Sequence, residues 1–160
     1  VRGGSRVLRD QSPKPKLVIT EPENAQLVNS LITQKRNQDG SPASAHDSWN
    51  PHPIQGWTPD FIPLVLQESI DKNYFDINIP VTGEDGIYWS HQLATNEGII
   101  TGISGGSTFA VAMKIAEEAP DGSNILCMLA DTAERYLTSI LFEKIDSEMN
   151  DEENEILNSI

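Results

Sequence analysis

The sequence is poor in the features that mark several large classes of protein. It has a single cysteine, Cys127, which excludes an internal disulfide and a cysteine-rich metal site. No apolar stretch approaches the roughly 18 residues that a transmembrane helix needs. Basic residues are scarce, 11 against 24 acidic ones, for a formal net charge of -13. Nucleic acids and anionic membranes bind surfaces with clustered Lys and Arg, so neither is an expected partner.

The composition is that of a globular protein. The chain has 160 residues, of which 38% are hydrophobic, enough for one domain with a core. The spacing of its histidines, His46, His52 and His91, indicates no metal site. Cys127 lies inside an apolar run and is expected to be a buried small side chain rather than a nucleophile.

The pattern of apolar residues predicts strands that alternate with helices. Short β-prone runs predict strands at Lys16–Thr20, Tyr74–Val81, Ile99–Ile103 and Asn124–Ala130. Helical spacing predicts helices at Val1–Arg9, Phe61–Ile70, Thr82–Gly98, Phe109–Ala116 and from Asp131 through Ile145. The expected fold class is therefore α/β, a three-layer αβα arrangement with a mostly parallel sheet.

The sequence also suggests a domain organisation. Residues 1–145 form one expected domain, and residues 146–160 form an acidic tail. Within the domain, a polar stretch at about 33–50 has no periodicity and is expected to be a surface-loop insert. The chain begins within a helical pattern and shows no signal peptide, so we interpret it as a segment of a longer protein.

The clearest candidate site is the predicted turn Ser104-Gly105-Gly106-Ser107. Glycines at a strand-to-helix turn let a ligand approach the backbone, and a helix N-terminus favours an anion or an acceptor group. The alternative is a tight connection in which Ser107 is the N-cap of the helix. Asp131 follows another predicted strand, so it is expected at the same edge of the sheet, although a helix-capping role explains it equally well.

Several segments, taken in order, resemble the cysteine synthase family of pyridoxal-phosphate enzymes, also called fold type II. The glycine-rich stretch from Glu97 to Ala112 resembles the family pattern EG(I/L)xxGISSGAAxAA and the GGSAGSTVAVA form of cystathionine β-synthases. Other matching segments are Thr20–Glu23 (VEP turn), His52–Gly56 with Phe61–Pro63 (HKIQGIGAGFIP), and Asp131–Thr138 with Leu141–Glu143 (PDxGERYLSTxLFE). The resemblance covers Val1 to about Ile145.

The resemblance implies which residues contact the cofactor, pyridoxal 5'-phosphate. A serine at the position of Ser104 binds the pyridine nitrogen, with Gly102, Gly105 and Asp131 beside it. A neutral hydroxyl does not force that nitrogen to stay protonated, which suits β-elimination. The family's Schiff-base lysine and its phosphate loop precede the matching region, so the 160 residues alone are expected to be inactive.

The resemblance also implies a substrate side, formed by Gln55, Gly56 and Trp57. Here the sequence departs from the family, because Trp57-Thr58-Pro59-Asp60 replaces the small residues IGAG. A tryptophan at this position reshapes the substrate pocket or packs beneath the loop as a core aromatic, and the sequence leaves both open.

The function implied is cysteine biosynthesis, a transferase or lyase reaction. O-acetylserine loses acetate to give an aminoacrylate, and sulfide adds to give L-cysteine. Alternatives are cystathionine β-synthase, another β-replacement enzyme, and a non-catalytic scaffold that keeps the fold.

The implied partners are an amino-acid substrate, sulfide and a second copy in a homodimer. Serine acetyltransferase, which binds cysteine synthases through a terminal isoleucine, is a further candidate, although we regard the terminal Ile160 here as coincidence. The implied location is cytoplasmic, with an organelle as the alternative.

Overall fold

Two parallel strands and five helices make up the regular structure of the computed structural model, which describes residues 1–11, 14–146 and 148–159. The strands are β1 (Val18–Pro22) and β2 (Ile77–Val81), and Val18 lies opposite Ile77 in their register. The helices are α1 (Arg2–Leu8), α2 (Leu64–Asp71), α3 (Gly83–Glu97), α4 (Ile103–Glu118) and α5 (Asp151–Asn158). The α/β class with a parallel sheet is therefore confirmed.

Helix α3 has the ends that the sequence predicts. The Thr82 hydroxyl accepts a hydrogen bond from the Asp85 backbone N–H at 2.9 Å, which satisfies one free donor of the first turn. At the other end, Gly98 adopts φ +67° and closes the helix in the left-handed conformation. These local signals fix both ends of α3.

Helices α3 and α4 pack with their backbones unusually close together. A side chain at Gly106 would overlap the Gly86 carbonyl and the Ser90 hydroxyl of α3. The Ser90 hydroxyl lies 2.8 Å from the Gly86 carbonyl and 3.0 Å from the Gly102 carbonyl. This hydroxyl therefore joins α3 to Gly102, the N-cap residue of α4.

The buried apolar residues form two clusters. The first cluster joins the sheet, α4 and the C-terminal turns, through Ile54, Val81, Ile103, Ala110, Val111, Ala133 and Leu141. The second cluster lies under the long loop and comprises Ala25, Leu27 and Ile62, with Trp49, Leu66 and Ile70 packed against it. The long loop is thus anchored to its own small core.

Two predicted strands are not formed. Ile99–Ile103 contains only a single antiparallel bridge, from Thr101 to Thr132. Asn124–Ala130 has no regular structure, and Leu126 and Met128 are 96% and 72% exposed. A strand forms where its backbone groups pair with a neighbouring strand, and no described strand lies beside this run. Ile125, Leu126 and Met128 are therefore exposed, and Cys127 and Leu129 are only half-buried.

The C-terminal region also differs from the prediction. Instead of a helix through Ile145, a 3-10 turn spans Ala133–Tyr136 and irregular turns follow. Within the acidic tail, α5 forms because Asn150 and Glu153 make a reciprocal capping box. Ser147 and Ile160 lie outside the described residues. No helix in the described ranges combines the length and apolar character needed to cross a membrane.

The close contact between α3 and α4 predicts that Gly106→Ala is destabilising. The added methyl group meets backbone and a buried hydroxyl, so the helices must separate, at a cost of about 1–3 kcal/mol in the free energy of unfolding. Gly4→Ala is the matched control, since nothing lies within 4 Å of the added group there. Chemical denaturation checks this, and equal stability of the two variants would contradict the proposed contact.

Candidate functional site

The predicted glycine-rich turn is in fact the first turn of α4. Gly102 is the N-cap residue, and Ser104 to Ser107 already have helical geometry. The Ser107 hydroxyl donates to the Ile103 carbonyl at 2.8 Å within the helix, so the alternative of Ser107 as N-cap is wrong. Ser104 lies one turn earlier and is 6% exposed. The helix thus begins earlier than predicted and holds Ser104 rigidly.

Ser104, Asp131 and Tyr136 form a polar cluster at the start of α4. The Ser104 hydroxyl lies 3.4 Å from Asp131 Oδ1, a long contact that leaves it free for a shorter partner. The Tyr136 hydroxyl donates a short hydrogen bond to Asp131 Oδ2. This bond to a carboxylate, together with burial, raises the pKa of Tyr136 above its ordinary value. The cluster thus joins one carboxylate to two hydroxyls.

The backbone around Thr101 brings these residues together. Thr101 pairs with Thr132, and its hydroxyl donates to the Asp131 carbonyl at 3.1 Å. A side chain at Gly102 would overlap the Tyr136 ring, and one at Gly105 would overlap the Thr101 hydroxyl. The contacts within the chain therefore explain these glycines, whereas the sequence suggested that they admit a ligand. Their predicted contact with the cofactor stays a prediction.

The predicted substrate residues form a tight turn. The backbone N–H of Trp57 donates to the Ile54 carbonyl at 3.4 Å, which closes a four-residue turn. Gly56 is the third residue of this turn, and its φ of +79° is the conformation that a type II turn requires there. Gln55 and Gly56 are exposed, whereas Trp57 is half-buried and packs against the first core cluster. Packing accounts for part of the tryptophan ring, and its role toward a substrate stays a prediction.

Both candidate groups are anchored in one core. Ile54, directly before the exposed turn, and Ile103, directly before Ser104, belong to the same buried cluster. Their exposed fractions are 0% and 1%, so neither anchor moves without disturbing the core. Sequence reasoning missed Tyr136, whose signal was its place in the Glu134-Arg135-Tyr136 segment five residues after Asp131.

The remaining candidate residues have local structural roles. His46 and His91 each place Nε2 near a backbone carbonyl, of Ile32 at 3.1 Å and Leu141 at 2.6 Å. Cys127 is half-buried rather than enclosed in a strand, and burial raises the pKa of its thiol, which disfavours the reactive thiolate.

Comparisons with known proteins identify the family of the chain. A family model described as pyridoxal-phosphate dependent enzyme matches residues 1–131. The O-ureido-L-serine synthase of Streptomyces lavendulae is 38% identical over 149 residues, 93% of this chain and 40% of that protein. A cysteine synthase of Helicobacter pylori is 30% identical over 140 residues, 88% of this chain and 39% of that protein.

A solved structure gives the same result for the fold. The crystal structure of O-ureido-L-serine synthase matches with a TM-score of 0.76 at 36% identity, over 94% of this chain and 41% of that chain. The chain thus spans about 40% of the length of the curated relatives above.

The carboxylate of Asp131 is expected to control the ionisation of Tyr136. Because the charged carboxylate holds the phenol proton, Asp131→Asn should lower the pKa of Tyr136 toward its ordinary value. In the wild type, the stabilisation from this contact is present below pH 10.0, the ordinary value, and is lost as the pH rises through the higher folded value. Carbon-13 NMR of labelled tyrosine follows the titration, with Tyr136→Phe assigning the signal. An unchanged Tyr136 titration in Asp131→Asn would refute this coupling.

Proposed function

The chain belongs to the pyridoxal-phosphate-dependent enzyme family, and we propose that it forms part of an enzyme that catalyses β-replacement on an activated L-serine. The single observation that carries this is the buried Ser104 hydroxyl, held in the first turn of α4 beside Asp131. In the proposed reaction, the α-carbon loses a proton, its electron pair forms a double bond to the β-carbon, and acetate or a related anion departs from the β-carbon with the bonding pair. A nucleophile then forms a new bond to the β-carbon and loses a proton, and the α-carbon regains one.

The residues of the polar cluster fit the ring end of the cofactor. Pyridoxal phosphate, when bound, would supply an electron-withdrawing ring that eases loss of the proton from the α-carbon, on which departure of a group from the β-carbon depends. Ser104 offers a neutral hydroxyl, which can donate to or accept from a ring nitrogen. Its long contact with Asp131 leaves room for this stronger partner. A hydroxyl in this position supports elimination at the β-carbon over reactions that require a permanently protonated ring.

The exposed turn is the proposed binding site for the amino-acid substrate. Gln55 offers an amide that both donates and accepts hydrogen bonds, and Gly56 exposes its backbone without a covering side chain. Trp57 and Ile54 hold this pair from the core side. The turn thus presents polar groups from a fixed support, which is the arrangement that orients a small polar substrate.

The nucleophile has two candidates. Sulfide is the one that resemblance to the cysteine synthases predicts, and with O-acetyl-L-serine it gives L-cysteine. A second candidate is a ureido-bearing oxygen nucleophile such as N-hydroxyurea, which gives O-ureido-L-serine. The 38% identity to an O-ureido-L-serine synthase favours it, as does the bulky segment Trp57–Asp60 where the cysteine synthase pattern has small residues.

The activity is proposed for the complete enzyme, in which the rest of the family fold joins this chain. The apolar side chains of Ile125, Leu126 and Met128 are exposed within one short segment, and exposed apolar side chains grouped in this way indicate a contact site. We assign this surface to the remaining part of the fold, which also supplies the lysine and the phosphate loop. A homodimer is the proposed assembly.

The reaction is tested with the complete enzyme, pyridoxal phosphate and O-acetyl-L-serine. Sulfide and N-hydroxyurea are supplied separately, and products are identified by mass spectrometry. We expect acetate release together with either L-cysteine or O-ureido-L-serine, and the ratio of the two kcat/KM values identifies the preferred nucleophile. Cofactor binding without a product from either nucleophile would refute β-replacement with these two classes.

Replacing Ser104 tests whether its buried hydroxyl acts on the cofactor, the observation on which the proposed function rests. Ser104→Ala removes one neutral hydrogen bond, so the rate of acetate release should fall about tenfold while the fold persists. Ser107→Ala is the matched control, because that hydroxyl is also buried but donates within α4 to the Ile103 carbonyl. The absorption spectrum of the bound cofactor should shift in the first variant only. Equal effects of the two substitutions would assign Ser104 a structural role alone.

A further inference from the structure

The long loop makes a regular series of contacts with the chain that follows the substrate turn. We call residues 33–50 the clamp segment. Its side chains and backbone bind alternate residues, 58, 60 and 62. The contacts are Trp49 Nε1–H to the Thr58 carbonyl (3.0 Å), His46 N–H to the Asp60 carbonyl (2.6 Å), Gln34 Oε1 to the Ile62 N–H (3.0 Å) and Arg36 to the Ile62 carbonyl (2.6 Å).

Thr58 is held in a conformation that it does not adopt readily. Its φ is +36°, which is uncommon for a residue without glycine's freedom and costly for a β-branched one. Such backbone persists only where its surroundings enforce it. Two donors converge on its carbonyl: Trp49 Nε1, and His52 Nε2 at 3.1 Å. Nδ1 of His52 is buried without a partner in the described part of the chain, so the bond to Thr58 is this ring's polar contact.

The clamp segment is itself rigidly supported. Trp49 packs against the second core cluster, in which Leu27 is 2% exposed and Ile62 is 3% exposed. Gln34 is 4% exposed, and its amide also donates to the carbonyls of Lys35 and Ser44. The contacts to residues 58–62 therefore come from groups that are themselves fixed, rather than from a flexible surface loop.

We propose that the clamp segment, together with His52 two residues after it, positions the substrate turn and thereby determines which substrates the enzyme accepts. This rests on the proposed function of Gln55–Trp57 in substrate binding. These three residues lie between two fixed points, the buried Ile54 and the Thr58 carbonyl that Trp49 holds. The orientation of Trp57 depends on the peptide that follows it. Loss of the hydrogen bonds to the Thr58 carbonyl therefore changes the position of Trp57, which forms one wall of the proposed substrate site. Trp49 and His52 are therefore positioning residues for the amino-acid and nucleophile sites.

The test uses variants that each remove one donor and keep an apolar side chain in its place. Trp49→Phe keeps an aromatic ring in the second core cluster but deletes the N–H, and His52→Leu deletes the second donor. His52→Gln retains an amide donor near the position of Nε2 and is the rescue variant. Lys35→Met is the control, because it breaks the exposed ion pair to Asp47 at 3.3 Å within the same clamp segment. All are made in the complete enzyme.

Two measurements separate this proposal from the proposed function. Fluorine-19 NMR of 5-fluorotryptophan protein follows the Trp57 signal, assigned by Trp57→Phe, and needs no activity. Kinetics give KM and kcat for O-acetyl-L-serine and the kcat/KM ratio between sulfide and N-hydroxyurea. We expect Trp49→Phe and His52→Leu to move the Trp57 signal and to raise KM roughly two- to tenfold, with kcat changed less. His52→Gln should restore both.

The outcomes are distinct. An inactive wild type with both nucleophiles would refute the proposed function, while the fluorine signal would still report on the clamp. A Trp57 signal and KM that stay at wild-type values in Trp49→Phe and His52→Leu would overturn the clamp proposal. The clamp proposal is also overturned if Lys35→Met changes the Trp57 signal and KM as much as Trp49→Phe and His52→Leu do. It is overturned too if kcat and KM change only in proportion to lost thermal stability.

Discussion

The close backbone contact between α3 and α4 is the constraint on which the site depends. Gly86 and Gly106 bring the two helices together, and the Ser90 hydroxyl connects α3 to the Gly102 carbonyl, where α4 begins. A helix that starts at a fixed residue also fixes its first turn, and Ser104 belongs to that turn. Gly106 therefore serves helix packing first, and the position of the serine hydroxyl is a consequence.

Sequence reasoning succeeds where the signals are local. The capping residues Thr82 and Gly98 fix α3 without help from the rest of the fold, and a short apolar run suffices to locate β1. It fails where regular structure depends on distant partners. Asn124–Ala130 has the composition of a buried strand, but backbone pairing and cover from neighbouring elements decide whether a strand forms. The same limit applies to the site.

Ser104 meets Asp131 as the sequence predicts, but for a different reason, because the strands expected before the two residues do not form and the antiparallel Thr101–Thr132 bridge brings them together. Tyr136 escapes this reasoning, because its approach to Asp131 requires the 3-10 turn that replaces the predicted helix. Thr58 escapes it too, since a positive φ at a β-branched residue has no composition signal and arises from contacts made elsewhere.

The two halves of the candidate site share the first core cluster, but each also has a support of its own, and this has a chemical consequence. Ile54 and Ile103 anchor both halves in that cluster. The polar cluster also depends on α3, α4 and the turn after Asp131, whereas the Thr58 carbonyl, which follows the substrate turn, is held by Trp49 of the clamp segment against the second core cluster. A change in the clamp segment can therefore alter the wall around the substrate without moving Ser104. In a family whose members share a cofactor but differ in nucleophile, such separation allows the substrate to change while the electronic environment of the ring stays constant. Under the proposed function, we expect a change in substrate to arise at Trp57–Asp60, because this bulky segment stands where the cysteine synthase pattern has small residues and contains Thr58, which the clamp segment fixes.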